Sequence, residues 1–296
     1  MKVQIMSDLH WELIDGKYDT PNIEKTDADV IVLAGDIHSG INGIKWAARQ
    51  QDRLNTPIVY VPGNHEFYGH DYYELNIELK KCAKEYGILF LQNDSVIIDG
   101  VRFLGATLWT NYGIKHPGLM AIAQDELRDY KHIKANKWWK SKQGLKTGSD
   151  WIKGFDNSSA LQGNFLPHTA YHEHIKSIRW LKKQLEKSFD GKTVVVTHHA
   201  PSYKSIKPFY QSDEVFDKKN WSPSLRDRLG VYRVAAYASD LSDLLCNYSE
   251  AIELWEHGHT HRRLDYAETG VHVDDNPGGN SHRPVPPFFL NMLYDD

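Results

Sequence analysis

Several things are scarce in this 296-residue chain, and each scarcity excludes something. Only two cysteines occur, Cys82 and Cys246, with no CxxC pair. A disulfide framework and a thiolate zinc cluster are thereby excluded. Both cysteines lie in amphipathic helical patterns and are expected to be buried free thiols, which fits a reducing compartment. No run of 18 apolar residues exists, so no membrane span is expected. The first residues read as a strand leading into Asp8, not as a signal peptide, and the expected location is cytoplasmic. Charge of one sign is also lacking. Lys and Arg total 35 against 39 Asp and Glu, a net charge of −4, which argues against a globally basic nucleic-acid binder and against an acidic tail. Repeats and low-complexity tracts are absent. Histidine, by contrast, is plentiful at 16 residues.

Short apolar, β-branched runs recur at 3–6 (VQIM), 29–35 (DVIVLAG), 57–63 (PIVYVPG), 192–198 (KTVVVTH) and 251–258 (AIELWEHG). Helical patterns fall near 41–54, 71–86, 168–188 and 235–248. Alternation of near-continuous hydrophobic strands with helices predicts an α/β fold with a buried, mostly parallel sheet. The stretch near 95–105, SVIIDGVRFLGA with Ala106 its last residue, predicts a hairpin closed by a type I′ turn at Asp99-Gly100. Two segments lack a strand pattern. The first, about 109–165, carries Trp109, Trp138, Trp139 and Trp151 among many lysines and is expected to be a helical and loop cap insertion. The second, about 201–232, is expected to be a smaller loop insertion in what is otherwise a single domain over 1–296.

Each of the five apolar runs ends on residues of metal-binding type: Asp8 and His10; Asp36 in GDIHSG; Asn64 and His65 in GNHE; His198 and His199 in THHAP; His257, His259 and His261 in HGHTH. In a parallel α/β sheet the carboxyl ends of strands share one edge, where ligands bind. Extended backbone would point i and i+2 the same way, pairing Asp8 with His10 and His259 with His261. Taken singly, each motif has an ordinary structural reading: a turn, a hydrogen-bonded strand end, a surface pair. Five separate strand ends stopping on ligand-type residues do not share one. Carboxylate, amide and imidazole donors suit Mn, Fe, Zn, Co or Ni better than Mg alone. Seven such donors exceed the needs of one tetrahedral ion and fit two ions sharing a carboxylate.

The ordered set DxH, GD, GNHE, HH and GHTH, spanning residues 8 to 261, resembles the calcineurin-like metallophosphoesterase superfamily. The resemblance implies a four-layer αββα sandwich of two mixed β-sheets flanked by helices, with a dinuclear site at the strand ends. It implies one metal on Asp8, His10, Asp36 and His261 and a second on Asp36, Asn64, His198 and His259, Mn²⁺ being the first candidate. His65 would be the catalytic group facing substrate, with His38, His199 and Arg262 as further candidates for substrate contact. DDNPGGNSHRP (274–284) resembles the family's segment after the last motif. One position departs: many relatives carry GDxxD, whose second Asp holds the motif histidine, and this chain has Ser39 there. The partner of His65 must then come from elsewhere, and His38 and Glu66 are the nearest in sequence.

Two cations about 3.5–4 Å apart would activate a bridging hydroxide for in-line attack on phosphorus, with no protein nucleophile needed. The expectation is hydrolysis of a phosphate ester, a phosphodiester being somewhat favoured and a nucleotide one candidate substrate. A phosphomonoesterase or protein phosphatase, a nuclease on single strands and a non-catalytic metal-binding scaffold are the alternatives. The longer GDxxDRG form of the protein phosphatases is absent. The cluster Lys131, Lys134, Lys137, Lys140, Lys142 and Lys146 with Trp138 and Trp139 reads either as a lid that stacks a base or as a solvated face, and the solvated face is the simpler account. Sequence does not fix the oligomeric state.

Overall fold

A computed structural model describes residues 1–14, 20–136, 163–206, 231–278 and 289–290. The apolar runs form the predicted strands. β1 (Val3–Met6), β2 (Val30–Ala34), β3 (Ile58–Val61) and β4 (Leu89–Phe90) lie parallel in one sheet, with β11 (Phe289–Leu290) antiparallel beside β1. The second sheet runs β5 (Asp94–Ile98), β6 (Val101–Ala106), β7 (Lys192–Thr197), β8 (Leu254–His257), β10 (Val271–Asp275), β9 (Leu264–Glu268). Its four central strands are parallel and both edge strands antiparallel. The β5–β6 hairpin closes as expected, with Asp99 at φ 44° and Gly100 at φ 79°, the two left-handed positions of a type I′ turn.

Strand periodicity explains the layering. On β2, Val30, Val32 and Ala34 face the second sheet, where they meet Phe103, Val194, Val196 and Leu254. The intervening Ile31 and Leu33 face outward onto α1 (Asn42–Leu54) and α2 (Tyr72–Tyr86), against Ile44, Trp46, Leu75 and Leu79. On the far side Leu104, Val195 and Trp255 pack against α6 (Pro167–Leu185) and α8 (Ser242–Asn247) through Leu181, Leu185, Leu244 and Leu245. Four layers result: helices, sheet, sheet, helices. The central strands are covered on both faces and are therefore largely apolar, which is why they stand out in the sequence, whereas the edge strands β5 and β9 alternate between half-buried and exposed residues. Local signals set the helix ends. Asp71 caps α2 by accepting from the amides of Tyr73 and Glu74, and Gly87 ends it at φ 73°.

Segment 109–136 is packed rather than peripheral. α3 (Tyr112–Lys115), α4 (Pro117–Glu126) and α5 (Asp129–His132) bring Tyr112, Met120 and Tyr130 into the same core cluster as Trp109, Phe67 and Tyr72. Lys134 donates to Asn164 Oδ1 at 2.6 Å, a structural contact. The lysines from 137 to 146, Trp138, Trp139 and Trp151 lie outside the described residues, as do 207–230 of the second expected insertion. The helix expected at 235–248 is two helices, α7 (Val231–Tyr237) and α8. The break falls where Ala238 pairs with Ala200 and the Ser239 amide donates to the Ala200 carbonyl. Cys82 is buried, but Cys246, on the short α8, is exposed, contrary to expectation.

Candidate metal centre

The tips of β1, β2, β3, β7 and β8 meet on one rim. Asp8, His10, Asp36 and His261 bring one donor atom each to within 4.8 Å of one another, and so do Asp36, His198 and His259. Asp36 belongs to both groups. His198 Nε2 is 3.3 Å and His10 Nε2 3.8 Å from Asp36 Oδ2, and His261 Nε2 is 3.2 Å from Asp8 Oδ1. Asn64 joins the second group, with Oδ1 3.0 Å from His198 Nε2.

The route to this convergence differs from the extended-strand argument. Asp8, His10, Asp36, His259 and His261 all have positive φ, between 49° and 70°. Each strand has ended before its ligand residues, and left-handed turns aim the side chains. Asp8 and His10 do share a group, but His259 and His261 diverge into different ones. Asp and His are among the non-glycine residues that tolerate this backbone best.

Hydrogen bonds hold these turns. The Asp8 carboxylate accepts the His259 amide at 3.0 Å and the Ser7 hydroxyl, tying the end of β1 to that of β8. Glu66, fully buried, accepts the amides of Asp36, Ile37 and Gly63 at 3.0, 2.9 and 2.7 Å and the Tyr60 hydroxyl at 2.7 Å, tying β2 to β3. Glu66 is thus spent on backbone and does not reach His65. His38 is turned to the Ser39 carbonyl, 3.2 Å away. The partner of His65 is Glu12, whose Oε1 accepts from His65 Nδ1 at 2.8 Å and from His10 Nδ1 at 3.1 Å.

The imidazoles are oriented from behind. His198 Nδ1 donates to the Ala34 carbonyl at 2.9 Å, so Nε2 faces Asp36. Asn64 Nδ2 donates to Asp129 Oδ1 at 2.8 Å, and the Tyr68 hydroxyl donates to the same oxygen at 2.6 Å. His199 is buried behind the site, with Nδ1 on the Thr107 carbonyl at 3.1 Å and its ring between Trp109 and His259. Such supports fix ring orientation and raise ligand basicity.

The charges follow from this packing. Burial opposes ionisation of Asp36, but His198, His65 and His10 outweigh it and hold the carboxyl well below the usual range. Burial likewise works against charge on His198 and His65, and Asp36 overcomes it, helped by Asp8 in one case and Glu12 in the other. The two rise to about 10 and about 9. Glu12, despite burial, is drawn down to about 2 by His10 and His65. His259 is held well below its ordinary value by burial and by His199 and His198. Metal-free, the site keeps protons on rings aimed at carboxylates, where a cation can replace them. Buried carboxylates and inward imidazoles with no thiolate are the donor set that first-row divalent ions prefer.

A cleft of about 300 Å³ opens over Asp36, lined by Asn64, His65, Tyr68, Tyr237, His259 and His261 and, from the α4–α5 corner, Glu126, Leu127, Arg128 and Asp129. Of the four residues expected to touch substrate, His65 alone is in this lining. His38 and His199 are buried, and the exposed Arg262 lies outside the cleft. Glu12, Tyr68, Asp129 and Tyr237 were not legible beforehand. Glu12 could have been suspected from its place two residues after His10; nothing marked Asp129.

The calcineurin-like phosphoesterase family model matches residues 1–263. An uncharacterised protein, L509, of Acanthamoeba polyphaga mimivirus is 25% identical over 295 residues, covering 95% of this chain and 91% of its own length. Among solved structures, the phosphopantetheinyl hydrolase of Mycobacterium tuberculosis superposes with a TM-score of 0.60 at 16% identity, over 99% of this chain and 96% of that one. TT1561 of Thermus thermophilus superposes with a TM-score of 0.46 at 10% identity, over 93% and 88%.

Proposed function

Since this chain belongs to the calcineurin-like phosphoesterase family and is a hydrolase of phosphate esters, we propose that it cleaves a small phosphodiester in the cleft over Asp36, with two divalent cations as cofactors. Asp8, His10, Asp36 and His261 would hold one ion, and Asp36, Asn64, His198 and His259 the other, Mn²⁺ being the first choice. Bound there, the pair supplies a water of lowered pKa and positive charge for the phosphoryl oxygens. The chain's own residues do the rest. His65 Nε2 stands 4.0 Å from Asp36 Oδ2 at the cleft wall, with Nδ1 engaged by Glu12. Glu12 on Nδ1 favours a proton there and leaves Nε2 facing the cleft, so a protonated ring is placed to donate to the leaving oxygen. Tyr68 and Tyr237 line the cleft, packed against His65 and His259 respectively.

The observation that carries diester over monoester is the charge of the cleft wall. Apart from the candidate ligands, the carboxylates of Glu126 and Asp129 line it together with Arg128 and His65, so the wall offers no surplus of cationic groups. A monoester dianion calls for additional cationic contacts, whereas a diester monoanion does not. The cleft volume suits a small molecule rather than a protein. The test is to strip the protein of metal, reload it with Mn²⁺, and compare bis-p-nitrophenyl phosphate with p-nitrophenyl phosphate. We expect kcat/KM at least about tenfold higher on the diester. A monoester preference would overturn the diester assignment, and no turnover of either would overturn the whole reading.

A further inference from the structure

We infer that Glu12 is the positioning residue of His65, supplied by the turn after β1 in place of the acid that Ser39 does not provide. This rests on the reading of His65 as proton donor. The His65 ring is held by two others. Tyr68 stacks on it at 4.2 Å and 23°, and His10 meets it in a T-shaped contact at 4.4 Å and 71°. Tyr68 is itself pinned through its hydroxyl to Asp129. These contacts set the plane of the ring but not which edge faces the cleft, because a half-turn about the Cβ–Cγ bond exchanges Nδ1 with Cδ2 and Nε2 with Cε1 and leaves the plane unchanged. Only a partner specific to one nitrogen breaks that tie. Glu12 Oε1, 2.8 Å from Nδ1, does so and leaves Nε2 toward Asp36.

The same oxygen also accepts from His10 Nδ1 at 3.1 Å. One carboxylate therefore sets the rings of a candidate metal ligand and of the proton donor together. The arrangement is built rather than incidental. Among the described residues Glu12 Oε2 is buried with no hydrogen-bond partner, a costly state that an exposed glutamate would escape by rotating into water. The spacing Asp8, His10, Glu12 puts two candidate ligands and the positioning acid on one turn. Glu66, the neighbour of His65 in sequence, is fully used in holding backbone amides.

The alternative is that Glu12 serves His10 alone, as an outer support of the metal site. Variants Glu12→Ala, His65→Ala and their combination separate the two, assayed on diphenyl phosphate, whose leaving phenolate is basic and needs a proton, and on bis-p-nitrophenyl phosphate, whose leaving group does not. His65→Ala should lower kcat on diphenyl phosphate by roughly 100-fold or more and much less on the nitrophenyl ester. Assayed at saturating Mn²⁺, because the contact with His10 also supports a candidate ligand, Glu12→Ala should reproduce that selective loss, and the double variant should be no worse than His65→Ala, the signature of a residue that acts through another. Glu12→Gln, which keeps an acceptor oxygen at the same reach, should recover most of the rate. In the metal-free wild type, the ring Nδ1–H of His65 should give a downfield proton resonance at neutral pH that is absent from both alanine variants. A Glu12 effect that persists in the His65→Ala background at saturating Mn²⁺, or a His65 resonance unmoved by Glu12→Ala, would overturn the positioning role. A His65→Ala enzyme without leaving-group selectivity would overturn the proton-donor reading and the inference with it.

Discussion

Individual histidines in and behind this site carry opposed electrostatic duties, and pH separates them. His174 is buried, with Nδ1 shared between the Leu108 and Trp109 carbonyls, and burial lowers it to about 4. His257 is lowered to about 4 in the same way, and His199 to about 3 by burial and by His198. Below pH 6.5 the unfolded chain protonates these rings while the native chain does not, so stability falls as pH drops from 6.5 toward 4. His174 alone represents roughly 3 kcal/mol across that window. His65 and His198 act with the opposite sign. Raised to about 9 and about 10 in the metal-free protein, they stabilise the fold below pH 6.5, and that contribution is lost as pH climbs through those values. The denaturation midpoint of metal-free protein should therefore peak near pH 6.5 and fall on both sides. A profile flat from pH 4 to 10 would contradict these assignments.

At the level of the element, the strand tips work because two of them come unusually close. Gly63, just past β3, has no need of a left-handed backbone. It is needed for space: a Cβ there would stand 2.1 Å from Asp36 Oδ1 and 2.6 Å from the Asp36 amide. Side chain and backbone cannot both give way, because Glu66 holds the amides of both residues. Gly63→Ala should displace Asp36 and cost about 100-fold or more in kcat/KM, with a loss of roughly 1–3 kcal/mol in stability from overpacking. Kinetics and urea denaturation on one preparation would check both. A variant with wild-type kcat/KM would show that the β2–β3 approach does not set the Asp36 position.

Across the whole molecule, the strands and their tips were legible in the sequence because sandwiching each sheet between apolar layers forces continuous apolar runs that stop abruptly at the functional rim. The Asp99-Gly100 turn was legible because its backbone admits few residues. The aim of the ligands was not. Periodicity describes extended chain, and five of the seven lie just beyond it in left-handed turns, which is how His259 and His261 part company. Partners across long separations were equally hidden: Asp129 reaches Asn64 over 65 positions, and Glu12 reaches His65 over 53. Ser39 announced a missing acid but not its replacement. The proposed centre requires seven side chains from distant segments to hold two cations through a shared Asp36. The most direct test counts ions by equilibrium dialysis against Mn²⁺ with mass-spectrometric detection, on wild type and on Asp36→Asn. Two ions per wild-type chain, with both tight sites lost from a variant that keeps its circular dichroism spectrum, is the predicted result. A wild type that retains no divalent ion, or an Asp36→Asn protein that still holds two, would contradict it.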